Sequence, residues 1–417
     1  MAGKVRHLIV GAGNAGISAA RVLAARRPDD EIILFTKEDE APYCRCLLTY
    51  FLEGRLSRKE LFARGTREIA ELRLDYRPGT EIVEVEIDNR TVVTAAGERI
   101  AGDTILVATG GEPKKPDFPG SEKAGIFTLR TIADAEAMAR RIRPGGIWAV
   151  AGAGLVSLKT ISALVARGVR VELFARSRQI LSQVLDAEAA ELAAARLAAN
   201  GVTINTAEEI TAAADTAGDR LRLTTSAGRE LTVDALLYGK GVEAVSPVSR
   251  EQWSGELSVA PRPWHQARHG LTTDAYLRIG EQVFAAGDTA RVFDLTTRRL
   301  SRLALWPLAG EQGRIAGINL AAGAAAQPRP PLRRYFGGIA CNSFSLFGLD
   351  FISAGFRVPP EEESEGWRTM RKKRGGSYRR LNFRENRLLG FILCGSKEVL
   401  EAGPLLNRIR CQALREI

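Results

Sequence analysis

Cysteine is scarce in this chain. Five thiols, Cys44, Cys46, Cys341, Cys394 and Cys411, are scattered over 417 residues. That is too few for a disulfide framework, and a reducing cytoplasm is the expected setting. His7, His265 and His269 lie far in sequence from the Cys44–Cys46 pair, so no metal-ligand set is expected around those thiols. No apolar run reaches the roughly 18 residues of a membrane span. The opening MAGKVRHLIVGAG runs directly into a strand-like stretch and lacks the apolar segment and cleavage site of an export leader. The net charge of +10 favours an acidic partner. Nucleic acid is not the expected one, because no recognition motif accompanies the charge and the arginines are spread along the chain. What is present is a globular composition, 45% apolar and 26% charged, in a length that calls for two or three domains.

HLIVGAGNAGISAARVLAAR reads as an apolar strand, a loop Gly11-Ala12-Gly13-Asn14-Ala15-Gly16, and an Ala-rich helix. In that context the glycines have separate tasks. The first permits a tight turn, the second lets the backbone approach a dinucleotide pyrophosphate, and the third lets helix and strand pack closely. The next strand, EIILF, is followed by Thr36, Lys37 and Glu38 rather than ending in the acid that holds a ribose. A threonine hydroxyl accepts the same hydrogen bond more weakly. Two more apolar strands close on small residues: TILV on Ala108-Thr109-Gly110, and QVFAA on Gly287-Asp288. Asp288, just past a buried strand, is either a ligand contact at the carboxyl edge of a parallel sheet or a helix N-cap.

GGIWAVAGAGLVSLKTISALVARGVRVELFARSRQIL repeats the unit about 140 residues later, with Gly152 and Gly154 in the loop and Ser157 in place of the third glycine. Two loops imply two dinucleotide domains. The strand after the second loop ends in Ala175-Arg176, with Arg178 following and no acid. These arginines either hold a 2′-phosphate or belong to a solvated loop.

The order of glycine loop, thiol segment, ATG, second glycine loop and GD resembles the FAD-dependent pyridine-nucleotide (disulfide) oxidoreductases over almost the whole chain. LALWPLAGEQGRIAGINLAAG looks like the helix that the superfamily places beneath the flavin. YFGGIACNSFSLFGLDFISAGF looks like the opening of its C-terminal interface domain. The resemblance implies that Gly11, Gly13, Asn14, Ala15 and Gly16 bind the FAD pyrophosphate, with Thr36 and Lys37 by the adenosine. It puts Ala108, Thr109 and Gly110 near the flavin and gives the ribityl chain to Gly287-Asp288. The second loop, with Gly152, Gly154, Arg176 and Gly241, then takes NAD(P)H. Lys159 stands where most of the superfamily carries a glutamate that meets the nicotinamide, a departure from ordinary nicotinamide geometry.

Cys44-Arg45-Cys46 is C-x-C, not the superfamily's C-x4-C pair. So short a span makes a disulfide strained and reducible. PYCRCLLTYFLEG resembles the single-cysteine motif of coenzyme A-disulfide reductases and NADH oxidases, with Cys46 in the redox position. It also resembles the thiol-free segment of nitrite reductase flavin domains, into which Arg45 fits. Cys46 is expected to open a short helix, whose N-terminus together with Arg45 favours thiolate. Otherwise it is a small residue that shapes the flavin site.

The fold expectation is α/β, with two Rossmann-like domains. An FAD domain spans 1–112 and 240–325, an NAD(P) domain covers 113–239 inserted within it, and a small α+β interface domain covers 326–417. NLAAGAAAQPRPPLRR reads as a linker. The basic run Arg371 to Arg374 reads as a solvated turn or as a docking surface for an acidic electron-transfer protein. In overall look the chain is similar to FAD subunits of anaerobic multisubunit oxidoreductases of the tungsten aldehyde oxidoreductase and NAD-linked phenylglyoxylate dehydrogenase type. That implies electron transfer between NAD(P)(H) and an iron–sulfur or ferredoxin-like subunit, in a hetero-oligomer or a homodimer. The resemblance ranks NAD(H) ahead of NADP(H), while the two arginines keep NADP(H) open. Two alternatives stand beside it: a coenzyme A-disulfide reductase or NADH oxidase using Cys46, and a non-catalytic FAD-binding assembly module.

Overall fold

The structure, a computed structural model, describes residues 4–216, 218–248, 270–323, 330–360 and 365–415. His265, His269 and part of the expected linker (324–329) lie outside the described residues. The chain divides into two compact units. The first gathers Met1–Cys44, Arg58–Glu112 and Glu243–Ala340, and the second gathers Arg45–Ser57, Pro113–Val242 and Cys341–Ile417.

The first unit is built on a six-stranded sheet in the order Arg278–Gly280, Val283–Ala285, Thr104–Val107, Arg6–Val10, Glu31–Phe35 and Asp75–Arg77. All its pairings are parallel except the first. The central strands are apolar on both faces, as a sheet covered on both sides requires: Leu8, Ile9, Leu34, Ile105 and Leu106 are all buried. One covering helix, Asn14–Arg26, follows the first glycine loop, and a second, Trp306–Gly323, packs against it. Small residues set how close the two helices come. A Cβ on Gly313 would lie 2.1 Å from the Ala15 carbonyl oxygen, and one on Gly317 would lie 2.8 Å from that of Ala19. A three-stranded antiparallel sheet, Ile82–Glu86, Thr91–Thr94 and Arg99–Ala101, completes the unit's main framework.

The second unit repeats the plan with a five-stranded parallel sheet in the order Thr203–Thr206, Arg170–Ala175, Ile147–Ala151, Ala235–Tyr238 and Ile126–Phe127. Helices Leu155–Ala166 and Ala187–Ala199 connect its strands. The same unit holds the C-terminal five-stranded antiparallel sheet, ordered Cys341–Leu346, Leu349–Gly355, Arg387–Cys394, Ser377–Arg384 and Trp367–Arg374, with helix Ala402–Leu414. The mainly parallel sheet of the first unit and the parallel sheet of the second bear out the α/β expectation.

The basic run departs from the expected turn. Arg371–Arg374 ends the edge strand Trp367–Arg374, and the turn itself is Gly375–Gly376. Alternation along the strand sends Arg371 and Lys373 to one face. There they form ion pairs with Glu188 and Glu191 of helix Ala187–Ala199, at 2.8 and 3.5 Å. Beneath them, buried Asp186 accepts from the Tyr378 hydroxyl at 2.5 Å and pairs with Arg380 at 2.8 Å.

Candidate dinucleotide sites

In the first unit each glycine of the loop meets a different neighbour. Gly11 has φ of +110°, and a Cβ there would lie 2.3 Å from the Ala108 carbonyl oxygen. A Cβ on Gly16 would lie 1.9 Å from the Gly11 carbonyl oxygen, so the third glycine lets the helix sit on the turn. Gly13 has nothing within 4 Å. It is also the N-cap of helix Asn14–Arg26, which carries no side-chain cap and no acid in its first turn. Open space at an uncapped helix N-terminus fits a dinucleotide pyrophosphate.

The other first-unit residues gather on this edge. The Asn14 amide donates to the Trp306 carbonyl at 2.6 Å. Thr109 and Thr289 both donate to the Val245 carbonyl, at 2.5 and 2.7 Å, and the Val245 N–H donates to the Gly110 carbonyl at 3.0 Å. Asp288 lies half-buried in the one-turn helix Gly287–Thr289, so it is not the N-cap of an α-helix. Gln312, fully buried, holds that turn by accepting from the Gly287 N–H at 2.8 Å. Its own Nε2 is buried without an acceptor among the described residues, a spare donor beside Gly287. The Thr36 hydroxyl accepts from the Glu38 N–H at 3.3 Å, and exposed Lys37 pairs with Glu112.

The second unit repeats the backbone pattern of the loop's first two glycines. Gly11 N–H donates to the Phe35 carbonyl, and Gly152 N–H to the Phe174 carbonyl, both at 2.8 Å. Gly152 has φ of +106°, and a Cβ there would lie 2.4 Å from the Gly239 carbonyl oxygen. Gly154, like Gly13, has nothing within 4 Å and caps its helix without a side chain. Gly239-Lys240-Gly241 therefore stands where Ala108-Thr109-Gly110 stands in the first unit, and Gly110 and Gly241 share positive φ. Gly241 is the nucleotide-side residue that the resemblance implies, whereas Gly239 is not among the residues expected from the sequence. The shared pattern of buried strand, small residue, any residue and glycine was the signal for that match. It also accounts for Ser157. A Cβ on Gly239 would lie 2.1 Å from Ser157 Oγ, so the serine occupies room that Gly239 leaves and donates to its carbonyl at 3.4 Å.

The thiol segment divides between the units at Cys44/Arg45. In the first unit, Pro42–Cys44 lies against helix Arg58–Glu71, where Gly65 makes room: a Cβ on it would meet the Pro42 carbonyl oxygen at 1.7 Å. Tyr43 packs edge-on against Phe62 at 5.1 Å and donates to Glu38 at 2.7 Å. In the second unit, Cys46 does not open an α-helix as expected. Arg45–Leu47 forms a single tight turn, and the six-residue α-helix begins at Leu48. Cys46 is exposed and Cys44 half-buried. Helix Leu48–Glu53 packs on helix Leu155–Ala166. Arg167 donates to the Leu52 carbonyl at 3.1 Å, Arg45 donates to the Arg130 carbonyl at 2.7 Å, and the Lys159 ammonium lies 5.5 Å from the Tyr50 ring centre. Lys159 and Tyr50 thus meet, a contact that sequence distance conceals.

The pattern describing the pyridine nucleotide-disulphide oxidoreductases matches residues 5–313. The chain belongs to that family. Enzymes of this family are NAD(P)H-dependent and bind FAD with a pyridine nucleotide, and this chain is an oxidoreductase of that kind. It is 27% identical over 358 residues, 85% of its length and 80% of the relative's, to the NADH-dependent phenylglyoxylate dehydrogenase subunit epsilon of Aromatoleum evansii. It is 26% identical over 326 residues, 78% of its length and 82% of the relative's, to the rubredoxin-NAD(+) reductase of Pseudomonas putida. In fold it is similar to the water-forming NADH oxidase from Lactobacillus brevis bound to NADH, with a TM-score of 0.84 and 20% identity over 97% of this chain and 90% of that one. It is equally similar, at 0.84, to that oxidase's engineered form bound to NADPH, at 21% identity over the same shares. The engineered form carries five substitutions. One replaces a glycine by alanine, and three consecutive ones replace Asp-Ala-Met by Ala-Arg-Ser. No helix of the described residues is long and apolar enough to cross a membrane.

Proposed function

We propose that the chain is the flavin subunit that carries electrons between a pyridine nucleotide and an iron–sulfur partner in a multisubunit redox complex. The observation that carries this is the doubled loop: two uncapped helix N-termini, at Gly13 and Gly154, each with open space and matching backbone bonds. Flavin takes a hydride as two electrons and can release them singly, which joins a nucleotide to a one-electron carrier. In this reading Gly11, Gly13, Gly16, Thr109 and Asp288 hold FAD, with Gln312 positioning the Gly287–Asp288 turn. Gly152, Gly154, Gly241 and Arg176 hold the nucleotide. The absence of a C-x4-C pair fits a chain that needs no dithiol relay, and the likeness to a dehydrogenase subunit and a rubredoxin reductase supports the partner.

Two details bear on the nucleotide. Ala175-Arg176-Ser177 is the triplet introduced into the engineered NADPH-bound oxidase. Ser157 stands 18 residues before it, the same spacing as that enzyme's substituted glycine. The fifth change, a proline to arginine seven positions past the aspartate, falls at Ser182 here.

Anaerobic stopped-flow tests the proposal. Nucleotide should bleach the flavin band quickly, and a low-potential ferredoxin should restore it. The second reading, a disulfide reductase or oxidase using Cys46, is favoured by the exposure of that thiol. Cys46→Ser separates the two, because it abolishes disulfide or oxidase turnover and leaves ferredoxin reoxidation in place.

A further inference from the structure

We infer that this chain prefers NADPH to NADH, and that Arg176 and Arg178 receive the 2′-phosphate. The inference rests on the nucleotide site proposed above and names which nucleotide fills it. At the end of the strand Arg170–Ala175, an NAD site carries an acid that grips the ribose diol and repels a phosphate. Here that end is Ala175, 2% exposed. The acids on the neighbouring elements are already engaged. Glu172 and Glu208 pair with Arg229 at 3.3 and 3.2 Å, and Glu209 pairs with Lys240. Arg176 and Arg178 are exposed and form no ion pair with any described residue.

The turn that carries them is fastened beside the second glycine loop. The Leu181 N–H donates to the Ala153 carbonyl, within the loop itself, at 2.9 Å. The Ser177 hydroxyl donates to the Gln179 carbonyl at 2.6 Å, and the Ala207 N–H donates to the Ser177 carbonyl at 3.2 Å. The backbone is thus held while two guanidinium groups project from it. A guanidinium fork matches a phosphate dianion with two parallel N–H···O bonds, whereas a neutral diol gives it far less.

The test has two arms. Calorimetry on the intact flavoprotein compares 2′,5′-ADP with 5′-AMP, and anaerobic titration of the flavin band compares NADPH with NADH. The ligand with the 2′-phosphate should bind at least about tenfold more tightly in both arms. In the Arg176→Ala/Arg178→Ala variant that ratio should collapse toward one. Equal affinity, or a preference for 5′-AMP and NADH, overturns the inference. If 2′,5′-ADP binds preferentially but neither nucleotide bleaches the flavin, the specificity stands and the electron-transfer reading falls. If neither adenosine ligand binds, both fall.

Discussion

Gly13 and Gly16 lie three residues apart and predict opposite phenotypes. A methyl group at Gly13 meets open space, so Gly13→Ala should leave the apoprotein's unfolding midpoint unchanged while flavin content falls. A methyl group at Gly16 runs into the Gly11 carbonyl, so Gly16→Ala should cost about 1–3 kcal/mol of stability before any ligand is considered. Denaturant unfolding of apoprotein, paired with flavin absorbance, distinguishes them. Thiol chemistry separates in the same way. Burial pushes the Cys394 thiol up to about 12, while Cys46 and Cys411 are exposed. A thiol-specific reagent at pH 8 should label Cys46 and Cys411 first and reach Cys394 only on unfolding. Rapid labelling of Cys394 in native protein would contradict its burial.

Among the elements, the opening strand of the first unit carries a titration. His7 is fully buried, its ring nitrogens 2.7 Å from the Thr104 hydroxyl and 3.1 Å from Asp30. Burial lowers its pKa below the ordinary histidine value, against the upward pull of Asp30. The unfolded chain therefore takes up the proton first. The stabilisation is complete above the unfolded histidine value of about 6.5 and is lost as pH falls through the lower folded value. The urea midpoint should drop on acidification from pH 7.5 toward 5, and His7→Gln should flatten that drop. For Asp30, burial pushes the carboxyl up, but its bonds with Arg27 and His7 outweigh burial and leave the pKa lowered. Its contribution is lost only at still lower pH.

The elements also show what the sequence could and could not reveal. The glycine loops were legible because Gly11 and Gly152 occupy backbone conformations that side chains rarely adopt, so those residues are pinned. Ser157 looked like a degenerate loop because its compensating partner, Gly239, lies 82 residues away. Gln312 read only as part of the helix that the resemblance places beneath the flavin, since nothing local reveals that it serves Gly287. Cys46 read as a helix start because it heads the run CLLTYFLEG, whose α-helix in fact begins two residues later, at Leu48. The tight turn before it depends on how helix Leu48–Glu53 is docked, which local propensity does not encode.

On the scale of the whole molecule, the basic C-terminal run is partly spent within its own unit, on Glu188 and Glu191. A partner's acidic surface therefore meets fewer open cations than the net charge suggests. The buried Asp186 beneath that run ties the inserted parallel sheet to the C-terminal sheet. Asp186→Ala strands Arg380 and should cost about 3–5 kcal/mol, whereas Tyr378→Phe, which leaves the ion pair, should cost about 1 kcal/mol. Chemical denaturation measures both, and equal losses would mean that the ion pair contributes little.

The two units are each assembled from three separate stretches of chain. The backbone passes from one to the other five times, after Cys44, Ser57, Glu112, Val242 and Ala340. The protein is in effect sewn rather than beaded. One protease cut in an exposed loop leaves the two parts joined through the remaining passages. A singly nicked preparation should run as two bands on a denaturing gel, yet elute as one yellow peak from a sizing column.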